Sequence, residues 1–354
     1  MRAYINRIAT AAPPNDIHQA FTDYAEALLP DTRDRRMFRR MADRSQIRQR
    51  WSCLAPAAPG SNESIDATGF YQRGAFPSTG DRMRRFEATA PELAMAALEK
   101  LELGERTDKI THLIVTCCTG FFAPGLDLQI AARLGLSPSV ERTMVGFMGC
   151  NAAINALKLA RHVVRSEPES QVLVVSLELC TLHLQETQNI EEALTFLVFG
   201  DGCAAALITA DPVGLSLDAF HVEVSRDNQD QITWNIGDRG FDMFLSGQVP
   251  ASVGKAIKGG QERILGGAQP EDIDLWAVHP GGRSVLDAVE AAFALPPKAL
   301  AASRDVLDRF GNMSSATVLF VLKSILESSD PGRSGCAMAF GPGLSAETML
   351  FSRA

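Results

Sequence analysis

Apolar and polar positions along the chain follow two periods, and together these predict an α/β protein. Short runs rich in apolar and β-branched residues predict seven strands, at residues 3–10, 110–116, 171–179, 202–209, 273–278, 335–340 and 347–352. Apolar residues at every third or fourth position predict helices at 21–29, 88–101 and 151–164. The segment 55–81 is rich in Pro, Gly and Ser, which predicts a loop.

The alternation of strand and helix occurs twice. In the first half, strand 110–116 is followed by a helix after Cys150 and by two more strands. In the second, strand 273–278 is followed by a helix beginning at Asn312 and again by two strands. The interval from Val115 to Cys150 is one residue longer than that from Val278 to Asn312. We therefore expect a duplicated unit, divided into residues 1–210 and 211–354, that brings Cys150 and Asn312 together as equivalent helix starts.

Composition narrows the class of protein. The chain has 354 residues, of which 46% are hydrophobic, and a net charge of −8, so we expect folded domains and no nucleic-acid partner. Its seven cysteines are odd in number and lack paired CxxC spacing, which disfavours disulfides and metal sites and favours a reducing, cytoplasmic setting. No run of 18 apolar residues and no secretion signal occur, so we expect no membrane span.

Cys150 is the first candidate for chemistry. The apolar run 143–148 breaks at Gly149 and places this cysteine at the start of a predicted helix. The positive end of the helix dipole and unpaired backbone N–H groups favour a thiolate there, which predicts a nucleophile near neutral pH. The alternative is that Cys150 is a small buried apolar residue, as most unpaired cysteines are.

His279 and Asn312 are the candidate partners of this cysteine. His279 ends a buried strand immediately before Pro280 and two glycines, where α/β proteins place ligand chemistry; the alternative is a hydrogen-bonded structural histidine. Asn312 can be a helix cap, or its amide can donate to a developing oxyanion. A thiolate, an imidazole and an amide donor predict acyl transfer through a thioester without a metal or redox cofactor. A cysteine protease remains an alternative.

The densest basic segment contains eight arginines between positions 33 and 50: Arg33, Arg35, Arg36, Arg39, Arg40, Arg44, Arg48 and Arg50. One interpretation is a solvated helix face. The other is a site for a phosphorylated ligand, because guanidinium groups match phosphate oxygens.

Four segments carry a resemblance to a known family. They are Gly149-Cys150-Asn151, Val278-His279-Pro280-Gly281-Gly282, Phe310-Gly311-Asn312-Met313-Ser314-Ser315 and Phe340-Gly341-Pro342-Gly343-Leu344. The four segments occur in the order that they have in the type III polyketide synthases, the chalcone and stilbene synthase family. The chain resembles this family over nearly its whole length. The related ketoacyl synthases of the third type usually have His-Gln-Ala-Asn where this chain has His279-Pro-Gly-Gly.

The resemblance implies a homodimer with a thiolase-like, duplicated α-β-α-β-α layered fold. It implies iterative decarboxylative condensation of malonyl-CoA onto an acyl-CoA starter, without an acyl carrier protein. Cys150 would hold the growing chain, while His279 and Asn312 would drive decarboxylation and condensation. Arg40 and Arg44 match basic positions that bind CoA phosphates in plant relatives. The third such position is Met37 here, so Arg36 or Arg39 is expected to replace it.

The resemblance also implies a substrate cavity. Phe199 matches one gatekeeper phenylalanine, and the second gatekeeper position is Met243. The other cavity positions fall on Cys118, Thr119, Cys180, Leu182, His183 and Trp234. The segment 234–243 resembles that of bacterial and fungal members with fatty acyl starters, which implies alkylpyrone or alkylresorcinol products.

Three alternatives stay open at this point. The first is a malonyl-primed synthase of naphthalene or phloroglucinol products, and the second is an enzyme like the ketoacyl synthases of the third type. The third alternative is a catalytically silent binding subunit with a thiolase fold. Intact Cys150, His279 and Asn312 count against it.

Overall fold

The computed structural model describes all 354 residues as thirteen strands and ten helices. The strands are β1 Tyr4–Ala11, β2 Asn15–Asp16, β3 Trp51–Ser52, β4 His112–Cys117, β5 Glu141–Gly146, β6 Val172–Leu179, β7 Asp201–Thr209, β8 Leu215–Val224, β9 Ile232–Gly237, β10 Gly240–Leu245, β11 Leu275–Val278, β12 Ser334–Gly341 and β13 Ser345–Arg353. The helices are α1 His18–Leu28, α2 Thr32–Arg44, α3 Thr79–Glu99, α4 Leu126–Leu134, α5 Ala152–Ser166, α6 Ile190–Leu197, α7 Val249–Ile264, α8 Arg283–Phe293, α9 Ala301–Phe310 and α10 Thr317–Ser328. None of the ten is both long enough and apolar enough to cross a lipid bilayer.

The main sheet has nine strands, and its order displays the duplication. From one edge to the other the strands run β5-β4-β6-β7-β1-β8-β13-β12-β11. In each half a parallel pair, β4 with β6 or β11 with β12, continues through two antiparallel neighbours towards the centre. There β1 pairs with β8 and joins the halves. The predicted α/β class with a duplicated thiolase-like fold is confirmed.

Alternating residues along the strands separate three hydrophobic cores. Leu113 and Val115 of β4 point into a core with α1, α3 and α4, whereas Ile114 points into a second core that contains α5 and α10. In the other half, Trp276 of β11 points into a third core with α7 and α8, whereas Ala277 joins the second. Successive side chains of a strand face opposite sides of the sheet, and both halves direct one side towards the second core. The helices of that core, α5 and α10, therefore form a layer between the outer helices of the first core and those of the third.

All seven predicted strands are present within a few residues, and two helix boundaries required correction. The helix predicted at 88–101 begins earlier, at Thr79, because Ser78 and Asp81 form a capping box. The helix predicted to begin at Asn312 begins at Thr317, after a 3-10 turn over Ser314–Ala316. The side chain of Asn312 accepts a hydrogen bond from the backbone N–H of Ser314, so it belongs to the turn that precedes the helix.

The two halves interlock where the 3-10 turn Gly149–Asn151 meets the loop after β12. Gly149 has a φ of 77°, and a Cβ built on it would lie 2.2 Å from Cδ of Pro342. A Cβ on Gly341 would lie 2.6 Å from Nδ2 of Asn151. That amide donates to the hydroxyl of Ser345 at 2.8 Å. Only glycines permit this approach, because any side chain would overlap the facing loop.

The replacement Gly149→Ala tests this interlock, with Gly60→Ala as its control. Gly60 has a similar φ of 79° and no neighbour within 4 Å of a built Cβ, so alanine there costs only the left-handed backbone, roughly 1–2 kcal/mol. At Gly149 the overlap with Pro342 adds about 1–3 kcal/mol. We expect urea unfolding to give a larger loss of unfolding free energy for Gly149→Ala. Equal losses would show that the loop accommodates a methyl group.

Candidate active site

Cys150 lies in the 3-10 turn that connects β5 to α5. Two residues just before it have positive φ angles, Phe147 at 56° and Gly149 at 77°. The first is uncommon for a large side chain and costs free energy that the surrounding packing must offset. Cys150 is 8% exposed, so it is largely shielded from solvent.

Asn312 is held on both its backbone and its side chain. Its backbone N–H donates to the carbonyl of Val198 at 2.8 Å, and its carbonyl accepts from the N–H of Gly200 at 2.9 Å. Its Oδ1 accepts from the N–H of Ser314 at 2.8 Å, and its Nδ2 donates to the carbonyl of Gly281 at 3.3 Å. The Cys150 Sγ lies 4.0 Å from Oδ1. These bonds orient the amide and leave its second N–H for a ligand.

His279 follows β11 directly. Its backbone N–H extends the parallel pairing by donating to the carbonyl of Met338 at 2.8 Å. The chain then turns back, so that a Cβ on Gly281 would lie 3.7 Å from the imidazole Nε2. The ring is 1% exposed, and neither ring nitrogen has a hydrogen-bond partner. Because the Gly281 carbonyl also accepts from Asn312, the turn after His279 lies against the residue that contacts Cys150. Both imidazole nitrogens are free of hydrogen bonds.

Burial controls the ionisation of this site. It raises the pKa of the Cys150 thiol to about 11, although hydrogen bonding with Ser314 and Asn312 acts in the opposite direction. It lowers the pKa of His279 to about 3. Desolvation of the thiol therefore outweighs the preference for a thiolate that the helix start provides. Transfer of the proton from the Cys150 sulfur to the His279 imidazole would form a thiolate and an imidazolium together. This pair has no net charge, so neither ion would be left alone in the buried site.

Glu178 is a buried residue that the sequence interpretation missed. It accepts hydrogen bonds from the N–H of Cys118 at 2.9 Å, from the hydroxyl of Thr119 at 2.8 Å and from the hydroxyl of Ser315 at 2.5 Å. Burial raises its pKa to about 7. This network joins the loop after β4 to the turn after Asn312. Its signal in the sequence was a lone glutamate within the apolar strand 171–179.

A small cavity lies beside the thiol, and eight of its twelve lining residues are hydrophobic. Seven of the predicted site residues line it: Cys118, Thr119, Cys150, Cys180, Phe199, Trp234 and Met243. Five lining residues were not predicted: Gly149, Phe196, Ile232, Ser314 and Pro342. His279 and Asn312 are outside the lining set, so Asn312 approaches the cavity through its contacts with Cys150 and Ser314.

Leu182 and His183 were predicted to line the cavity, and the structure places both in the packed interior instead. The His183 Nε2 bonds the carbonyl of Thr119 at 2.7 Å, and its Nδ1 accepts from the N–H of Phe241 at 2.9 Å. Its ring stacks on that of Phe241 at 4.2 Å. Burial lowers the pKa of His183 to about 3. His183 thus fastens the β9–β10 hairpin, which carries Trp234 and Met243, to the rest of the wall.

The predicted phosphate-binding arginines lie on α2. Arg36, Arg40 and Arg44 are exposed and spaced four residues apart, so they share one helix face, and none forms an ion pair with a carboxylate. Arg39, the alternative to Arg36, is committed elsewhere because it pairs with Asp23 at 2.9 Å and with Glu26. The carbonyl of Arg44 accepts from Arg283, only four residues beyond His279. The C-terminal end of α2 therefore lies against the start of α8.

Two models of one protein family together match almost the whole chain. The model described as "Chalcone and stilbene synthases, N-terminal domain" matches residues 2–212. The model of the C-terminal domain of the same family matches residues 219–353.

Individual relatives agree with these matches. The chain is 34% identical to the "Alpha-pyrone synthesis polyketide synthase-like Pks18" of Mycobacterium tuberculosis, over 99% of this chain and 91% of that protein. It is similar to the crystal structure of PKS-I from the brown alga Ectocarpus siliculosus, with 29% identity, a TM-score of 0.85 and coverage of 100% and 98%. It also shares the fold of the C-terminal type III polyketide synthase domain of Steely1 from Dictyostelium, with 24% identity, a TM-score of 0.90 and coverage of 100% and 99%.

The pH dependence of alkylation tests the proton transfer between Cys150 and His279. In the wild type, moving the proton changes no net charge, so we expect the rate of Cys150 labelling by iodoacetamide to be flat from about pH 6 to 9. In His279→Ala the thiol has no imidazole to take its proton, so we expect its ionisation to follow the pKa of Cys150, which burial raises to about 11 in the wild-type structure. Its labelling should be slower at neutral pH and rise about ten-fold per pH unit towards that pKa.

His162→Ala is the matched control, because His162 is an exposed histidine on α5. It should keep the wild-type profile, as followed by mass spectrometry of the peptide that contains Cys150. A wild-type rate that climbs in the same way as that of His279→Ala would show that the imidazole does not take the proton.

Proposed function

The chain belongs to the chalcone and stilbene synthase family, the type III polyketide synthases, and we propose that it extends a fatty acyl-CoA starter with malonyl-CoA and closes the product to an α-pyrone. Members of the family are acyltransferases. The contact between Cys150 and Asn312 beside an apolar cavity carries the proposal, because it joins a nucleophile to an oriented amide. His279, two residues before the Gly281 that Asn312 bonds, is the proposed proton acceptor.

In the loading step, the thiol of Cys150 attacks the carbonyl of the acyl-CoA. His279 takes the thiol proton and returns it to the CoA sulfur as the carbon–sulfur bond of the starter breaks. The products are an acyl-Cys150 thioester and free CoA. The second N–H of Asn312 is oriented to donate to the thioester oxygen, where negative charge develops.

In the extension step, malonyl-CoA loses CO2, and the electrons of the broken bond form an enolate. Hydrogen bonds from His279 and Asn312 to the enolate oxygen stabilise this charge. The enolate carbon then attacks the acyl-Cys150 carbonyl, and the Cys150 thiolate leaves as the new carbon–carbon bond forms. The extended chain returns to Cys150 for another cycle. The reaction is redox-neutral, so we propose that it uses no cofactor besides the two CoA thioesters. Membership of this family supports CoA thioesters as the carriers, so we propose that no acyl carrier protein is needed.

The composition of the cavity wall favours a fatty acyl group as the starter. Its hydrophobic members include Phe196, Phe199, Ile232, Trp234 and Met243, which offer apolar contacts and no charge to an acyl tail. A methionine at the second gate position adapts its shape more readily than a phenylalanine would. The Mycobacterium relative is named for α-pyrone synthesis, and this supports lactone closure rather than resorcinol formation here.

We propose that the CoA portion of each substrate binds at the exposed face of α2. Arg36, Arg40 and Arg44 offer guanidinium groups without carboxylate partners, which suits the phosphates of CoA. All seven cysteines of the chain are unpaired, so we place the reaction in the reducing cytoplasm.

A homodimer is supported by the unpaired edge of the main sheet. Strand β5 bonds only to β4, and its first four residues are exposed. Phe121, Met144 and Met148 near this edge are 38%, 39% and 43% exposed. A long edge strand with apolar neighbours favours pairing with another strand. We assign this edge to a second copy of the chain.

Product analysis tests the activity. Purified protein is incubated with labelled malonyl-CoA and acyl-CoA starters from acetyl to long fatty acyl. We expect α-pyrones whose masses increase by ketide units, with long starters preferred. Products from malonyl-CoA alone would contradict the fatty acyl starter, and strict dependence on an acyl carrier protein would place the chain with the ketoacyl synthases.

Variants in the same assay test the roles of the three residues. Cys150→Ala should abolish extension, whereas Asn312→Ala or His279→Ala should slow malonyl-CoA decarboxylation by roughly 10²-fold. Cys53→Ala removes a thiol outside the cavity and serves as the control. Turnover by Cys150→Ala at the wild-type rate would contradict the mechanism.

Light scattering tests the dimer. We expect about twice the chain mass of 38.2 kDa for the wild type. Met144→Glu places a charge on the edge strand and should give a monomer, whereas Val213→Glu, at a 60% exposed residue outside the strands, should not. A dimer that persists in Met144→Glu would show that another surface holds the copies together.

A further inference from the structure

Arg50 is completely buried, and neither of the two steps described above uses it. All of its side-chain hydrogen bonds go to neutral acceptors. Its Nη1 donates to the carbonyls of Phe196 at 2.9 Å and Phe199 at 2.8 Å, and its Nε donates to Nδ1 of His18 at 2.9 Å. Burying a guanidinium without a carboxylate partner is costly, so the contacts that hold it there require an explanation.

The two carbonyls belong to the cavity wall. Phe196 lies in the last turn of α6, where carbonyls lack helical partners, and Phe199 follows two residues after the helix ends. Both phenylalanines line the cavity beside Cys150. A positive charge at the C-terminal end of a helix is favourable and satisfies these oxygens. The Nη1 of Arg50 therefore fixes the backbone that carries both rings.

The same backbone is bonded on its other side to Asn312. The N–H of Asn312 donates to Val198, and the N–H of Gly200 donates to Asn312, so Phe199 lies between the two bonds. The stem of Arg50 packs against Gly311, where a built Cβ would lie 3.0 Å from its Cγ. Phe199 is thus held between Arg50 and Asn312.

His18 also holds the side chain of Arg50, because it accepts the hydrogen bond from Nε. Burial and the charge of Arg50 lower the pKa of His18 to about 3, which keeps the imidazole neutral and its Nδ1 available as an acceptor. The ring of Phe21 lies 4.7 Å from the guanidinium carbon. The N–H of Ile17 donates to the carbonyl of Arg50 at 2.8 Å, so the start of α1 holds the arginine on its backbone as well.

We propose that Arg50 is a positioning residue of the synthase: it holds Phe199 in register with Asn312 and thereby keeps the cavity closed around the growing chain. The proposal rests on the proposed function. A lysine keeps the charge but replaces the planar fork with a single ammonium on a flexible stem, so it cannot bond both carbonyls and His18 in the same geometry. A loosened Phe199 lets water reach the acyl thioester and releases chains early.

Arg50→Lys tests the proposal through the ratio of full-length pyrone to early-released acids and shorter products, formed from a fatty acyl-CoA and malonyl-CoA. We expect this ratio to fall on the order of ten-fold. A loss of folded protein lowers all products together and leaves the ratio unchanged, so the ratio separates positioning from stability. Arg161→Lys is the matched control, because Arg161 also donates to a backbone carbonyl, that of Asp218, but lies outside the cavity.

A double-mutant comparison sharpens the result. Because Arg50 and Phe199 act on one element, the effects of Arg50→Lys and Phe199→Leu on the product ratio should be less than additive when combined. If the wild-type protein condenses its substrates, two results would overturn the proposal for Arg50. One is an unchanged product ratio in folded Arg50→Lys, and the other is fully additive effects of the two substitutions. Absence of any condensation by the wild type would instead overturn the proposed function.

If Arg50→Lys does not yield folded protein, His18→Leu takes its place. This change removes the acceptor of the Arg50 Nε and leaves the arginine in the chain. The product ratio should shift in the same direction by a smaller factor, and an unchanged ratio in folded His18→Leu would contradict the proposal.

Discussion

The close contact between the Cys150 turn and the loop at Pro342 is the constraint on which the site depends. It exists because Gly149 and Gly341 present no side chains to the facing loop. The duplicated sheet places these two loops at the junction of its halves. Glu178, which bonds Ser315 across the same junction, adds a buried polar link to the steric one. A nucleophile from one half can therefore meet an imidazole and an amide from the other.

Burial at that junction determines how the chemistry is started. The pKa of Cys150 is raised and that of His279 is lowered, and desolvation is the largest cause in both cases. Such a site resists forming a single ion, but it accommodates proton transfer within a pair and stabilises charge that appears on a bound thioester. The same apolar surroundings receive an acyl tail. One physical property, exclusion of water, thus serves both the reaction and the recognition of the starter.

Much of this organisation could be predicted from the sequence. The strands of both halves and the equivalence of the Cys150 and Asn312 turns follow from local periodicity and spacing. The direction of the Cys150 pKa shift could not be predicted, because desolvation depends on what packs over the thiol. His183 was predicted to line the cavity and is instead a packed, fully bonded histidine, since the Phe241 N–H that it accepts belongs to a distant hairpin. Arg50 seemed one more arginine of a basic segment, and only the fold shows that it is buried.

Mass spectrometry of the acyl-enzyme tests the central claim most directly, because three thiols line the cavity: Cys118, Cys150 and Cys180. The protein is mixed with a fatty acyl-CoA in the absence of malonyl-CoA, quenched in acid and digested, and the modified peptide is sequenced. The account predicts a single thioester, cleaved by hydroxylamine, on Cys150 and its loss in His279→Ala. An acyl group on Cys118 or Cys180, or none at all, would contradict the claim that the two halves build one site around Cys150.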